Sequence, residues 1–351
     1  MTGIGIPTAR NVDHVAYTVP DLEQAIAFFT TVVGARLLYR QGPVADPAGD
    51  FMLRQLGVHP RASCHVALLR LGPVTNLELF EYRAPGQRVE PPRASDVGGN
   101  HIAIRVGDVD AALVHLSGRP GVRIHGRPRP VDGGAIGRCV QLTTPCALRL
   151  ELVEYGSAAP GRYPAEDDWS TASDTGIPTA MAVDRVCYTV PDLDQAVAFF
   201  AGSLGGRLLE RTDSTVDAAF AAERYGAARP ARVSTAALRL GPVTNVELRQ
   251  FHTAGRRAEP PRNSDVGGHH VAFVVEDLDR AVAYLRTVAG VEVLGEPQLI
   301  AEGGPIDGSR WVYFRAPWGF QLEALALPPT LPYERDTTAR RFGPVPHWHN
   351  G

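Results

Sequence analysis

The chain has 351 residues, of which 44% are hydrophobic and 21% charged, with a formal net charge of -3. That length favours two domains, and that charge gives neither nucleic acid nor an anionic membrane surface a reason to bind. No apolar stretch approaches the roughly 18 residues a membrane span needs, and Met1 to Asn11 has no basic region followed by an apolar run, so a cytoplasmic location is expected.

Val12 to Val19 alternates like a strand and stops at Pro20; Asp21 then offers an N-cap, and Leu22, Ala25, Ile26 and Phe29 fall at helical spacing. His101 to Val106 repeats this in shorter form, followed by Asp108, Val109, Ala112, Leu113 and Leu116. The stretch Val12 to Leu22 returns almost unchanged at Val183 to Leu193, with Arg185 in place of His14. His270 to Val275, then Asp277, Leu278, Ala281, Val282 and Leu285, repeats the pattern once more.

Other segments recur with the same phase. Leu69 to Asn76 returns as Leu238 to Asn245, and Ser95-Asp96-Val97-Gly98-Gly99 returns as Ser264 to Gly268. One repeat of this length means two tandem domains rather than a solenoid. The expected organisation is a first domain over 1–157 with modules near 10–85 and 99–156. A linker rich in Gly, Ser, Pro and Asp follows at 158–175, then a second domain over 176–327 with modules near 181–253 and 268–327, and a tail at 328–351. Each module reads strand, helix, strand, strand, strand. Cys64, Cys139, Cys146 and Cys187 form no Cys-x-x-Cys pair and do not recur between copies, so buried free thiols are expected.

Strand side chains alternate faces, so parity separates candidate ligands from core residues. Leu77 and Leu79 suit packing under a helix and Glu78 points the other way; Leu150 and Leu152 stand in the same relation to Glu151. His14 opposes Val15, Tyr17 and Val19, while His101 opposes Ile102, Ile104 and Val106. In the second copy the equivalent positions are Arg185, Glu247, His270 and Glu323. Glu81 and Glu154 take the helix-side parity near strand ends and read as solvated. A lone histidine or glutamate on a strand is usually only hydrogen-bonded. Four at one place in their modules are different: unpaired buried carboxylates are costly, and two imidazoles with two carboxylates can surround one divalent ion.

The motifs His-Val-Ala-Tyr-Thr-Val-Pro-Asp-Leu at 14–22, His-His-Val-Ala-Phe at 269–273 and Arg-Ala-Pro-Trp-Gly-Phe-Gln-Leu-Glu at 315–323 resemble the vicinal oxygen chelate superfamily. That superfamily includes glyoxalase I, methylmalonyl-CoA epimerase, extradiol dioxygenases and the fosfomycin and bleomycin resistance proteins. The resemblance covers about residues 10–156 and 181–327. It implies an α+β fold of four βαβββ modules pairing into two curved mixed sheets, with metal or ligand clefts on the concave faces. It also implies one divalent metal ion (Zn, Ni, Co, Mn or Fe) on His14, Glu78, His101 and Glu151 if sequence neighbours pair, or on His14, Glu78, His270 and Glu323 if the first module pairs with the fourth. Sequential pairing is preferred as the local solution. Arg185 cannot ligate a cation, so the second site, with Glu247, His270 and Glu323, is expected to be metal-free or altered.

The implied reaction is that of a glyoxalase-like lyase or isomerase acting on a small oxygen-rich carbonyl substrate, by proton abstraction and a metal-bound enediolate, with Glu78 or Glu151 as the base. A ring-cleaving dioxygenase would need two histidines, one carboxylate and three open positions. A non-catalytic resistance protein would bind a natural product in the cleft, with Trp311, Tyr313 and Trp318 as wall. Gly133-Gly134 and Gly303-Gly304 could belong to a mobile lid or to plain turns, and the tail could dock over a cleft or stay disordered. The expected partner is a small molecule, with no nucleic acid and no membrane, for a monomer or homodimer.

Overall fold

A computed structural model describes residues 5–131, 137–156, 176–218, 221 and 231–348. The expected linker and Gly133-Gly134 lie outside the described residues. The first module runs β1 (Ala9–Thr18), α1 (Leu22–Phe28), β2 (Arg36–Ala45), β3 (Ser63–Leu71) and β4 (Thr75–Arg83). The second has β5 (Asn100–Val106), α2 (Val109–Leu116), β6 (Arg123–Pro130), β7 (Gly137–Thr143) and β8 (Arg149–Tyr155). The third has β9 (Ala180–Thr189), α3 (Leu193–Ala198), β10 (Arg207–Val216), β11 (Ala231–Leu240) and β12 (Thr244–His252). The fourth has β13 (His269–Val275), α4 (Leu278–Leu285), β14 (Glu292–Leu299), β15 (Arg310–Arg315) and β16 (Gln321–Ala326).

Each of these four helices begins on an aspartate. Asp21 accepts from the backbone N–H of Gln24, Asp108 from Asp110 and Ala111, Asp192 from Gln195, and Asp277 from Arg280, satisfying donors that have no partner within a first helical turn. Glu81 and Glu154, expected to be solvated, add a second anchor at two of these ends: their carboxylates accept the N–H of Leu22 and of Val109 at 3.0 and 2.8 Å. The apolar strand faces meet the helices in one continuous core that joins all four modules. Val15 and Tyr17 lie there with Ile102, Ile104, Val186, Tyr188, Val271 and Phe273.

Two eight-stranded sheets result, with orders β14-β15-β16-β13-β1-β4-β3-β2 and β10-β11-β12-β9-β5-β8-β7-β6. The first module therefore pairs with the fourth and the second with the third, which corrects the expectation of sequential pairing. At the joins β1 runs antiparallel to β13, with Ala16 opposite His270, and β5 antiparallel to β9, with Ala103 opposite Arg185. Chain proximity was a weak guide, because the connection at 84–99 could reach roughly 50 Å if extended.

What that connection does instead is cross its counterpart from the other copy. Val97 N–H donates to Arg257 O and Val266 N–H to Arg88 O, both at 2.9 Å; Gly98 N–H reaches Thr189 O and Gly267 N–H reaches Thr18 O. Asp96 accepts the N–H of Arg257 while gripping Arg93, and Asp265 accepts the N–H of Arg88 while gripping Arg262. Gly98 and Gly267 adopt positive φ, and a Cβ at either would strike Pro261 or Pro92. The repeated Ser-Asp-Val-Gly-Gly sequence is thus a reciprocal latch that hands each half of the chain from one sheet to the other.

Candidate metal centre

On the concave face of the first sheet, β1, β4, β13 and β16 project His14, Glu78, His270 and Glu323 to one point. Nε2 of His14 lies 3.1 Å from Glu78 Oε2, 3.3 Å from Glu323 Oε2 and 3.2 Å from Nε2 of His270. His270 Nε2 is 3.5 Å from Glu78 Oε2 and 3.3 Å from Glu323 Oε2. All four residues are buried, one ligand atom from each falls within 4.8 Å of the others, and together they could hold a single metal ion. Strand alternation turns each of these side chains to the concave face, and the cross-pairing of modules brings them together.

The charge state of the cluster fits a cation. His14 Nδ1 faces Asp13 Oδ2 at 2.8 Å and His270 Nδ1 faces Asn263 Oδ1 at 3.3 Å, so both oxygens can take an Nδ1 proton and leave each Nε2 free to offer its lone pair to a cation. With both rings neutral, the two Nε2 lone pairs at 3.2 Å would repel, so a proton or a cation between them is required. Glu78 Oε2 is buried and has no properly directed donor. Burial would raise the Glu78 carboxyl, yet His14 and His270 drive it well below the usual carboxylate range. Burial would likewise depress His14, yet Glu78, Asp13 and Glu323 push it well above its ordinary value. Either a proton or a divalent ion answers that demand, and two imidazoles with two carboxylates suit Zn, Ni, Co, Mn or Fe(II).

The walls are aromatic. Tyr313 and Phe80 meet the His270 ring edge-on at centroid distances of 5.0 and 5.7 Å, and Trp311 packs against Tyr313 at 5.2 Å. Burial, reinforced by the nearby Glu78 and Glu323 carboxylates, keeps the Tyr39 and Tyr313 phenols well above their ordinary value, so both remain O–H donors. Trp318 lies elsewhere, packed on Phe199 and Phe200 in the core. Gly303 and Gly304 form a turn rather than a free flap, since their N–H groups donate to the Asp307 carboxylate at 2.7 and 2.9 Å.

His101 and Glu151, expected beside His14 and Glu78 under sequential pairing, converge instead with Arg185 and Glu247 on the second sheet. Arg185 Nη2 reaches Glu151 Oε1 at 2.6 Å and its Nε reaches Glu247 Oε2 at 2.9 Å, while Nη1 pairs with Asp184. His101 Nε2 is 3.4 Å from Glu151 Oε2, and Arg249 also grips Glu247. A guanidinium therefore occupies the centre of the equivalent cluster and neutralises its carboxylates. Burial, aided by Arg249 and Arg185 against the pull of Glu151, lowers His101 to about 4 and leaves it neutral.

The description "Glyoxalase/Bleomycin resistance protein/Dioxygenase superfamily" fits residues 13–136 and again 184–307. The chain belongs to this superfamily. One relative, a 2-epi-5-epi-valiolone epimerase from an Actinomyces species, is 52% identical over 179 residues, covering 48% of this chain and 97% of the relative. A probable chloroplastic lactoylglutathione lyase from Arabidopsis thaliana is 27% identical over 207 residues, 58% of this chain and 47% of that protein. Glyoxalase I from Zea mays shares the fold with a TM-score of 0.57 at 18% identity, over 90% of this chain and 92% of that one. A putative dioxygenase from Bacillus subtilis does so with 0.58 at 17% identity, over 94% and 88%. Within the superfamily the chain is an enzyme of the glyoxalase-like lyase and isomerase type. No helix among the described residues is long and apolar enough to cross a membrane.

Proposed function

We propose that this enzyme is a divalent-metal-dependent epimerase of a polyhydroxylated cyclic ketone, the class to which the substrate named for its 52%-identical relative belongs. The observation that carries the reading is the closure of His14, Glu78, His270 and Glu323 on one buried point. These residues would hold the ion, which when bound supplies Lewis-acid polarisation of the substrate carbonyl and so acidifies the neighbouring C–H. Glu78 and Glu323 reach the point from β4 and β16, on opposite sides of the paired strands β1 and β13. That placement suits an inversion, in which one carboxylate removes the proton from one face of the carbon and the other returns a proton to the opposite face. The expected role of Glu151 as base passes to Glu323, because Glu151 is held by Arg185 and Gln141. Tyr39 and Tyr313, neutral phenols near Glu78 and Glu323, would donate to substrate oxygens, and Phe80, Tyr82 and Trp311 would help to exclude water.

Four protein ligands leave too few open positions for catechol and dioxygen together, which disfavours the ring-cleaving alternative. The test is to load the purified protein with Mn, Co, Ni or Zn, measure metal per chain, and follow exchange of the α-hydrogen of 2-epi-5-epi-valiolone in D2O by NMR. One metal per chain and metal-dependent exchange with inversion are expected. A protein that takes up no stoichiometric metal, or a loaded protein that exchanges no hydrogen, would end the proposal.

A further inference from the structure

The chain does not stop when the second sheet-forming half is complete. After β16 a strap crosses the first sheet: Leu331 and Tyr333 pack on Leu38, Tyr39 and Leu68, with the Tyr333 and Tyr39 rings 5.3 Å apart, and Tyr333 N–H donates to Pro305 O. The strap then runs back along β1 and β4. Phe342 N–H donates to Asn76 Oδ1 at 2.8 Å, Asn76 Nδ2 donates to Phe342 O at 3.1 Å, and Val345 N–H donates to Asn11 Oδ1 at 3.1 Å. Trp348 finishes it, its Nε1–H on Gly205 O at 2.9 Å. The tail therefore docks, and it docks on the sheet that carries the four converging ligands.

Between Tyr333 and Phe342 the strap inserts Arg341, whose side chain is 6% exposed, and its guanidinium pairs with Asp13, whose side chain is 0% exposed. The same oxygen of Asp13, Oδ2, meets His14 Nδ1 at 2.8 Å. The second copy shows what this contact replaces. There Asp184 obtains its cation from Arg185, the very next residue. In the first copy that next residue is His14, which cannot serve both as a lone-pair ligand and as the counter-ion of a buried carboxylate, so the chain brings a guanidinium from 328 positions away.

We propose that Arg341 is a positioning residue of the metal centre: it anchors Asp13 so that Asp13 holds the His14 ring with Nε2 toward the ion, which makes the C-terminal strap an integral part of the site. This rests on the metal-centre reading above. A carboxylate behind a ligating histidine sets its tautomer and ring orientation, and loss of such a partner typically weakens metal binding about 10- to 100-fold.

The test uses the full-length protein, stripped of metal and titrated with Co(II), whose visible absorption reports ligand geometry. Arg341→Met and Asp13→Asn should each weaken Co(II) binding by about 10- to 100-fold and shift the spectrum, and the double variant should be scarcely weaker than either single one, since both break the same relay. A strap with only a structural role would lower the melting temperature of the metal-free protein and leave Co(II) affinity and spectrum unchanged, and that result overturns the proposal. If Arg341→Met does not fold, Arg341→Gln decides: it keeps a donor beside Asp13 but loses the charge that anchors it, so weaker Co(II) binding with a shifted spectrum is expected, and wild-type affinity and spectrum overturn it. Failure of the unaltered protein to bind Co(II) removes the metal-centre reading itself, an outcome distinct from normal binding that Arg341→Met leaves untouched.

Discussion

Arg185→His tests whether the second cluster is a metal site filled by a side chain. Arg185 faces Glu151, Glu247 and Asp184, all with side chains 12% exposed or less. Breaking a buried pair by removing one partner costs about 3–5 kcal/mol, and three carboxylates lose a partner here, with Arg249 still compensating Glu247. The metal-free variant should therefore be less stable than the parent by at least about 3 kcal/mol. The new imidazole, together with Glu247, His101 and Glu151, also completes a ligand set equivalent to the first cluster. A metal at 100 times its dissociation constant would return about 2.7 kcal/mol, so most of the loss should reverse on adding Zn or Co. The assay is chemical denaturation in chelator and in metal, alongside metal content per chain. Bound metal should rise from one to two. A variant as stable as the parent in chelator would refute the claim that the guanidinium neutralises this cluster, and a variant whose stability metal does not restore would refute the claim that the site is a metal site in geometry.

Three further outcomes follow from the same geometry. Glu323→Gln should lower α-hydrogen exchange by roughly 10²- to 10⁴-fold, whereas Glu151→Gln should leave both exchange and metal content near the parent values, because Glu151 lies in the other cluster; isotope exchange and metal analysis on the two variants check this. His101 titrates in the folded protein at about 4 against an ordinary 6.5, so unfolding takes up a proton between those values; its contribution, on the order of 3 kcal/mol, is complete above pH 6.5 and is lost as pH falls toward 4. His101→Asn should flatten the pH dependence of urea unfolding across that window, and an unchanged slope would contradict it. Asp265→Asn removes the buried carboxylate that grips Arg88 and Arg262, and should cost about 2–4 kcal/mol through the crossover latch while leaving the metal ligands in place; denaturation midpoints and Co(II) affinity separate the two effects.

Much of this protein follows from short-range rules and was legible in the order of its residues. Period-two alternation put His14, Glu78, His101, Glu151, Glu247, His270 and Glu323 on the faces where they are found, and an aspartate ahead of a helical pattern marked the start of the helix in each module. The exchange of His14 for Arg185 pointed to one cluster able to hold a metal and one not, because ligating ability belongs to the side chain itself. Glu81 and Glu154 differ from the solvated residues expected, because parity shows which way a residue points and not that a helix end waits there for an acceptor.

Which four of these side chains meet was a tertiary matter. Both pairings satisfy the same strand pattern, and the choice lies in contacts between residues far apart in the chain: the reciprocal hydrogen bonds of the two Ser-Asp-Val-Gly-Gly loops, and the fit of β1 against β13 and β5 against β9. The repeated loop was visible in the sequence, but a hydrogen bond from Val97 to Arg257 leaves no periodicity to read. The same holds for Arg341, whose pairing with Asp13 depends on a strap folding back across the sheet. The sequence alone determined what each module is and which way its histidine, arginine and glutamate side chains face, because those follow from neighbouring residues; only the tertiary structure decided which modules share a cleft and what stands behind His14, because those follow from long-range packing.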